Sequence, residues 1–192
     1  MQYHIVKYTG PFGFIKPWTA VRDGETFSQQ FLTPSIVEGM EKKLFPKLLK
    51  GNGIHKIVGH RLAYDQMSEQ QEQVQPRGWN TEGKNLARKM AVLKRSVLIN
   101  PRLFLAFKTE EDGQVAYSQH ICLCRNEDIL LPQQILETSQ TSFNSDAETF
   151  AGYELVMEKR EDSFLVGYNR FQRNEPMYGW VRVVGNPVKT FL

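Results

Sequence analysis

The chain has 192 residues, 41% of them hydrophobic and 23% charged, a composition that excludes a disordered or fibrous protein and suits one domain burying roughly 70% of its unfolded surface. Its longest apolar run, Leu103 to Phe107, is too short to span a membrane, and Met1 to His4 lack the basic and apolar regions of a secretory signal. The net charge of +3 hides an asymmetry: residues 1–108 carry 17 Lys and Arg against 8 Asp and Glu, or +9, whereas residues 109–192 carry 7 against 13, or −6.

Gln2 to Thr9 alternates and predicts a strand with Tyr3 and Ile5 on one side and Val6 and Tyr8 on the other. Two glycines and two prolines then bracket aromatic and basic residues over Gly10–Trp18, which predicts a structured loop. Thr33 followed by Pro34 is a helix start, since a hydroxyl can cap a backbone N–H and proline loses no hydrogen bond in the first turn. Ile36, Val37, Met40 and Leu44 recur at helical spacing, and Pro46 should end or kink the helix. Ile54 to Tyr64 reads as a second strand.

Residues 65–88 differ in composition. They are rich in glutamine and almost free of aliphatic side chains, so they have no core of their own and predict an extended hairpin or arm. Strand signal returns at Met90–Ile99 and Leu103–Phe107, separated by Asn100 and Pro101. Asp112–Cys124 reads as a short helix with Val115, Ala116 and Ile121 inward, residues 137–149 as a polar loop, and Tyr153–Met157, Phe164–Tyr168 and Trp180–Val184 as terminal strands. The order strand, helix, strand, strand, helix, strand predicts an α+β, ferredoxin-like sheet of the RNA-recognition type. The expected layout is one domain over 1–192, with the arm inserted at about 65–88 and a small β extension at about 150–192.

Little in the sequence supports catalysis. His120, Cys122 and Cys124 could begin a zinc site, but a structural site needs four ligands and the chain has no other cysteine. The same two cysteines are too close to close a useful loop, which excludes a disulfide scaffold and suits the cytoplasm. No phosphate-binding Gly-Lys-Ser/Thr loop and no Gly-x-Ser-x-Gly turn occurs. A metal-free ribonuclease needs a base for the 2′-hydroxyl and an acid for the leaving oxygen. His120 with Tyr117 is the best pair, with His60 a further candidate. His55 and His60, beside Lys56 and Arg61, suit phosphate contact better.

Nucleic-acid binding fares better. Lys16, Trp18 and Arg22 place cations and a stacking ring in one loop, and Arg77 with Trp79 repeats that pairing in the arm, where Lys84 and Arg88 add charge. A basic half draws polyanions and makes their binding salt-dependent. The competing account is of solvated lysines on a neutral fold, with Trp18 a core residue.

The stretch Gly10-Pro11-Phe12-Gly13-Phe14-Ile15-Lys16-Pro17, followed by Thr33-Pro34-Ser35-Ile36-Val37-Glu38-Gly39, resembles the amino-terminal signature of the Cas-five family, RAMP-superfamily backbone subunits of CRISPR effector complexes. Ala91 to Val97 is similar to the family's strand after the arm, with Lys94 and Arg95 as its basic edge. The resemblance implies an RNA-recognition-type fold whose hairpin works as a thumb, and a noncatalytic subunit holding the 5′ handle of the CRISPR RNA. Its partners would be that handle, a neighbouring Cas-seven-type backbone subunit, and a large subunit or effector nuclease. No cofactor is implied. The Lys16, Trp18 and Arg22 loop and the helix from Thr33, with Lys42 and Lys43, would frame the handle, and residues 65–88 would lie against the first guide segment. Some members also cut precursor RNA with a tyrosine late in the first helix and a downstream Lys-His pair. Here that position is Phe45 and no such dipeptide follows, so the resemblance favours a binder served by another nuclease.

Overall fold

The computed structural model describes residues 1–17, 25–74, 79–83, 85–88, 91–169 and 172–189. In chain order the strands are β1 (Gln2–Thr9), β2 (Phe12–Gly13), β3 (Glu25–Phe27), β4 (Ile57–Ala63), β5 (Gln66–Val74), β6 (Trp79–Glu82), β7 (Asn85–Arg88), β8 (Ala91–Ile99), β9 (Arg102–Phe107), β10 (Ile121–Cys122), β11 (Ile129–Ser139), β12 (Gly152–Val156), β13 (Phe164–Asn169) and β14 (Glu175–Val184). The helices are α1 (Pro34–Leu44), α2 (Glu110–Tyr117) and α3 (Gln140–Ser145), with a 3-10 turn at Pro46–Leu48.

The large sheet has the order β10-β11-β1-β9-β4-β12-β14-β13, and its neighbouring strands pair antiparallel. Its inner strands β11-β1-β9-β4, with α1 and α2 as crossovers, form the ferredoxin-like βαββαβ unit that the element order predicts. β12, β14 and β13 extend it on one side. Side-chain alternation sorts the core into two layers. Val6, Tyr8, Leu103, Leu105 and Phe107 meet Val37, Met40 and Leu44 of α1 and Ala116 of α2. Tyr3, Ile5, Phe104 and Ala106 meet Phe143 of α3 and Phe150 on the other face. The two sides of β1 are therefore the two expected from its sequence.

A smaller sheet carries the arm. β5 and β8 pair antiparallel from Gln66–Ile99 to Val74–Ala91, and β6 pairs with β7. β2 and β3 line the far edge of β8, β3 in parallel. The root of the arm is tied down at Asp65, which is buried and accepts from Asn100 Nδ2 (3.0 Å), Arg102 Nη1 and Lys189 Nζ (3.3 Å). Burial pushes that carboxyl up, but the donors from Arg102, Asn100 and Lys189 outweigh it and hold Asp65 below the ordinary range. Asn100 takes φ 49°, the left-handed turn that lets β8 double back into β9.

α1 begins and ends where Thr33-Pro34 and Pro46 predict, but Thr33 makes no side-chain cap bond to the backbone; its Oγ1 lies 3.0 Å from Ser35 Oγ. Three expectations need correction. The second helix covers Glu110–Tyr117 rather than Asp112–Cys124, capped by Thr109 Oγ1 accepting from Asp112 N (3.2 Å). Val115 faces outward, and Ile121 is buried from a strand instead of the helix. Residues 137–149 are the end of an eleven-residue strand and helix α3, whose Phe143 fills the second core layer. That strand pairs with β1 through an irregularity at Lys7/Tyr8 opposite Pro132, which interrupted the alternation in the sequence.

Candidate nucleic-acid interface

The end of β2 packs against the Leu123 side chain of the segment following α2. A Cβ at Gly13 would fall 2.3 Å from Leu123 Cδ1, so any larger residue there would have to displace that side chain. This seats buried Phe14 beneath two guanidiniums, Arg95 of β8 at 5.2 Å and Arg125 at 5.5 Å from the ring centre. Next in the chain, the Lys16 backbone N–H donates to Cys124 Sγ, leaving the Lys16 side chain exposed. At the other end of the same segment, exposed Lys43 of α1 donates from Nζ to the His120 carbonyl. The run His120–Arg125 thus has Lys43 at its start and Lys16, Arg125 and Arg95 at its end, beside the arm. An extended chain from His120 to Cys124 spans at most about 13 Å.

Carboxylates offset much of the charge. Arg95 Nε donates to Glu72 Oε2 at 2.8 Å, and Lys94 Nζ lies 3.2 Å from Glu69 Oε1. Arg125 is held by Asp128 (Nε 2.9 Å, Nη2 2.6 Å), whose hydrogen bonds are the main cause that raises its pKa. Lys42 pairs with Glu38 at 2.7 Å one turn back. Lys56 pairs with Asp112, and Arg61 with Glu154. The acidic second half therefore neutralises part of the basic first half instead of standing apart from it. Among the described lysines of the first half, Lys7, Lys16, Lys43, Lys47, Lys50 and Lys108 carry no ion pair.

Lys94 and Arg95, adjacent on a strand, point to opposite faces of the arm. Arg95 shares its face with Phe14. On the Lys94 side the alternation places Phe27 of β3, 59% exposed and opposite Ser96. Trp79 is equally exposed on β6. Trp18, Arg22, Arg77 and Lys84 lie outside the described residues, and Arg88 is placed only as a residue of β7.

Two reasoned contacts are overturned. Arg61 is fully buried, donating to Glu154 and to the His60 carbonyl, and His60 is 8% exposed, so neither reaches a phosphate on the surface. His55 spends its Nε2 on the Asn52 carbonyl (3.0 Å). Arg125 and Phe27 were not found by sequence reasoning. The Arg125–Asp128 spacing marks a turn, but nothing in the sequence brings that turn to Phe14.

No family model matches the chain, and no curated protein matches it. Among solved structures it is similar to a chain described as a CRISPR RNA-guided surveillance complex, at 13% identity and a TM-score of 0.55. The match covers 97% of this chain and 90% of that one, so what the two share is a fold along nearly the whole length.

Proposed function

We propose that this chain is a noncatalytic CRISPR RNA-binding subunit that holds the 5′ handle and caps one end of a multi-subunit effector backbone. The observation that carries the reading is the line of cations from Lys43 to Lys16, Arg125 and Arg95, which runs along residues 120–125 to the middle of β8 in the arm. The similar fold of a chain from an RNA-guided surveillance complex supports it. Lysines would hold the phosphates, exposed rings on the arm would stack on bases, and the arm would lie against the guide and the neighbouring backbone subunit.

The test is fluorescence anisotropy of the intact chain with handle RNA and with a scrambled RNA of equal composition. Handle RNA should bind more tightly. Lys16→Ala and Lys43→Ala should each reduce the slope of log affinity against log salt by about 0.7, so that a fourfold salt increase costs each variant about 2.6-fold less than wild type. Equal binding of both RNAs, or unchanged slopes, would refute the proposal. Specific cleavage of repeat RNA in EDTA would replace it with the endoribonuclease reading through His120 and Tyr117.

A further inference from the structure

The end of α1 carries cations that no carboxylate answers. Lys42 is paired with Glu38, but Lys43, Lys47 and Lys50 are exposed and have no ion pair among the described residues. Elsewhere Lys56, Lys94, Arg95 and Arg125 each face a carboxylate within 4 Å, so three unmatched lysines within eight residues are a local surplus of charge. The negative end of the helix dipole favours basic residues in the last turn, where Lys42 and Lys43 stand, but its influence fades past that turn and does not account for Lys47 and Lys50.

The segment that carries these lysines is fixed at both ends. Leu48 N donates to the Phe45 carbonyl (2.9 Å), Leu49 N to Pro46 (3.1 Å) and Gly51 N to Leu48 (3.0 Å), so the chain winds on from the 3-10 turn as far as Gly51. At three residues per turn, Lys47 and Lys50 stand one above the other, about 6 Å apart along the axis. Beyond them Gly53 N donates to Glu38 Oε1 (3.1 Å), and the N–H groups of His55, Lys56 and Ile57 donate to Glu41, which pins the far end back onto α1. Leu49, between the two lysines, is 64% exposed. Cations held on a short, pinned winding lose little freedom when they meet a polyanion, and the apolar side chain between them offers contact to a sugar or base.

We infer, resting on the RNA-handle proposal, that the bound strand is longer than the handle and continues past Lys43 along this segment, with its additional phosphates on Lys47 and Lys50. Lys43 belongs both to the candidate interface and to this patch, and that continuity favours RNA over an acidic protein. Because the line of cations leaves the interface at Lys43, only one end of the handle can be continued this way. Fluorescence anisotropy of the intact chain compares handle RNA alone with handle RNA carrying a uridine tract of about eight nucleotides at its 5′ or at its 3′ end. One of the two extended RNAs should bind more tightly, with a steeper salt dependence. For that RNA, Lys47→Ala and Lys50→Ala should each lower the slope of log affinity against log salt by about 0.7, so that a fourfold rise in salt costs each variant about 2.6-fold less than wild type. The double variant should bind it no more tightly than the handle alone, and neither substitution should alter binding of the handle alone. Both positions are exposed, and circular dichroism confirms that the variants fold. No binding of handle RNA would overturn the handle proposal and the extension together. Binding of the handle with no gain from either tract, or a gain that survives the double variant, would overturn the extension alone. So would polyglutamate that binds as tightly as the extended RNA and depends equally on both lysines, which would assign the patch to an acidic protein.

Discussion

Glu41 offers the sharpest test of how the fold is held. Its carboxylate is completely buried on the core side of α1, where it accepts from three successive backbone N–H groups: His55 (2.8 Å), Lys56 (2.6 Å) and Ile57 (2.8 Å). Those bonds tie the approach to β4 onto the helix. Replacing Glu41 with Ala leaves three donors without their acceptor, each worth about 1–3 kcal/mol where water cannot reach. Only Ile57 is fully buried, whereas the bonds of His55 and Lys56 are partly so. The expected loss is therefore about 3–5 kcal/mol, or a fall of roughly 6–20 °C in Tm for a domain of this size. Glu41→Gln keeps one oxygen and should lose roughly half as much. Urea unfolding followed by circular dichroism reads both values. A Glu41→Ala variant within about 1 kcal/mol of wild type would refute the reasoning, because the N–H groups would then have found water or other acceptors.

Three further outcomes follow from the structure. Burial lowers the His60 pKa to about 4, so between about 6.5 and 4 the unfolded chain binds a proton that the folded chain does not, and stability must fall as pH drops through that window, by on the order of 3 kcal/mol in total. His60→Gln should remove that part of the pH dependence in paired urea titrations, and an unchanged profile would contradict it. Asp65→Ala should speed amide hydrogen exchange in β5 while leaving β1 protected, since it removes the acceptor shared by Asn100, Arg102 and Lys189. Glu72→Gln frees Arg95 and should tighten handle-RNA binding and steepen its salt dependence; weaker binding would mean that the pair is needed to orient the guanidinium.

The parts of the fold written in local pattern were legible. β1 shows its two faces in alternation, Thr33-Pro34 and Pro46 bound α1, and the glutamine-rich stretch after Asp65 has too few apolar side chains to build a core of its own. β11 was missed because Pro132 and the irregularity beside it break its period, and because a half-exposed edge strand carries polar residues such as Gln133, Gln134 and Glu137. α3 was missed for a related reason: its sequence is all Ser, Thr, Asn and Gln except for Phe143, and six residues carry no helical period to read. For the candidate interface, the sequence identified which side chains are cationic but not which ones are already paired. Lys16 and Lys43 look no different from Lys94 along the chain. Only the register that sets Glu69 and Glu72 beside Lys94 and Arg95 tells them apart. Buried Glu41 did leave a signal, a carboxylate between Met40 and Leu44 on the apolar face of its helix, where only captured backbone donors make it tolerable.

The attachment of the arm has a mechanical consequence. β8 passes through a single tight corner into β9, the strand lying between β1 and β4, and both legs of the arm are hydrogen-bonded at that corner: Asp65 N to Ile99 O and Asn100 N to Pro11 O. An element anchored this way behaves as a stiff lever and not as a tether on a swivel. A pull applied to it by a partner would be delivered to β9, in the middle of the sheet.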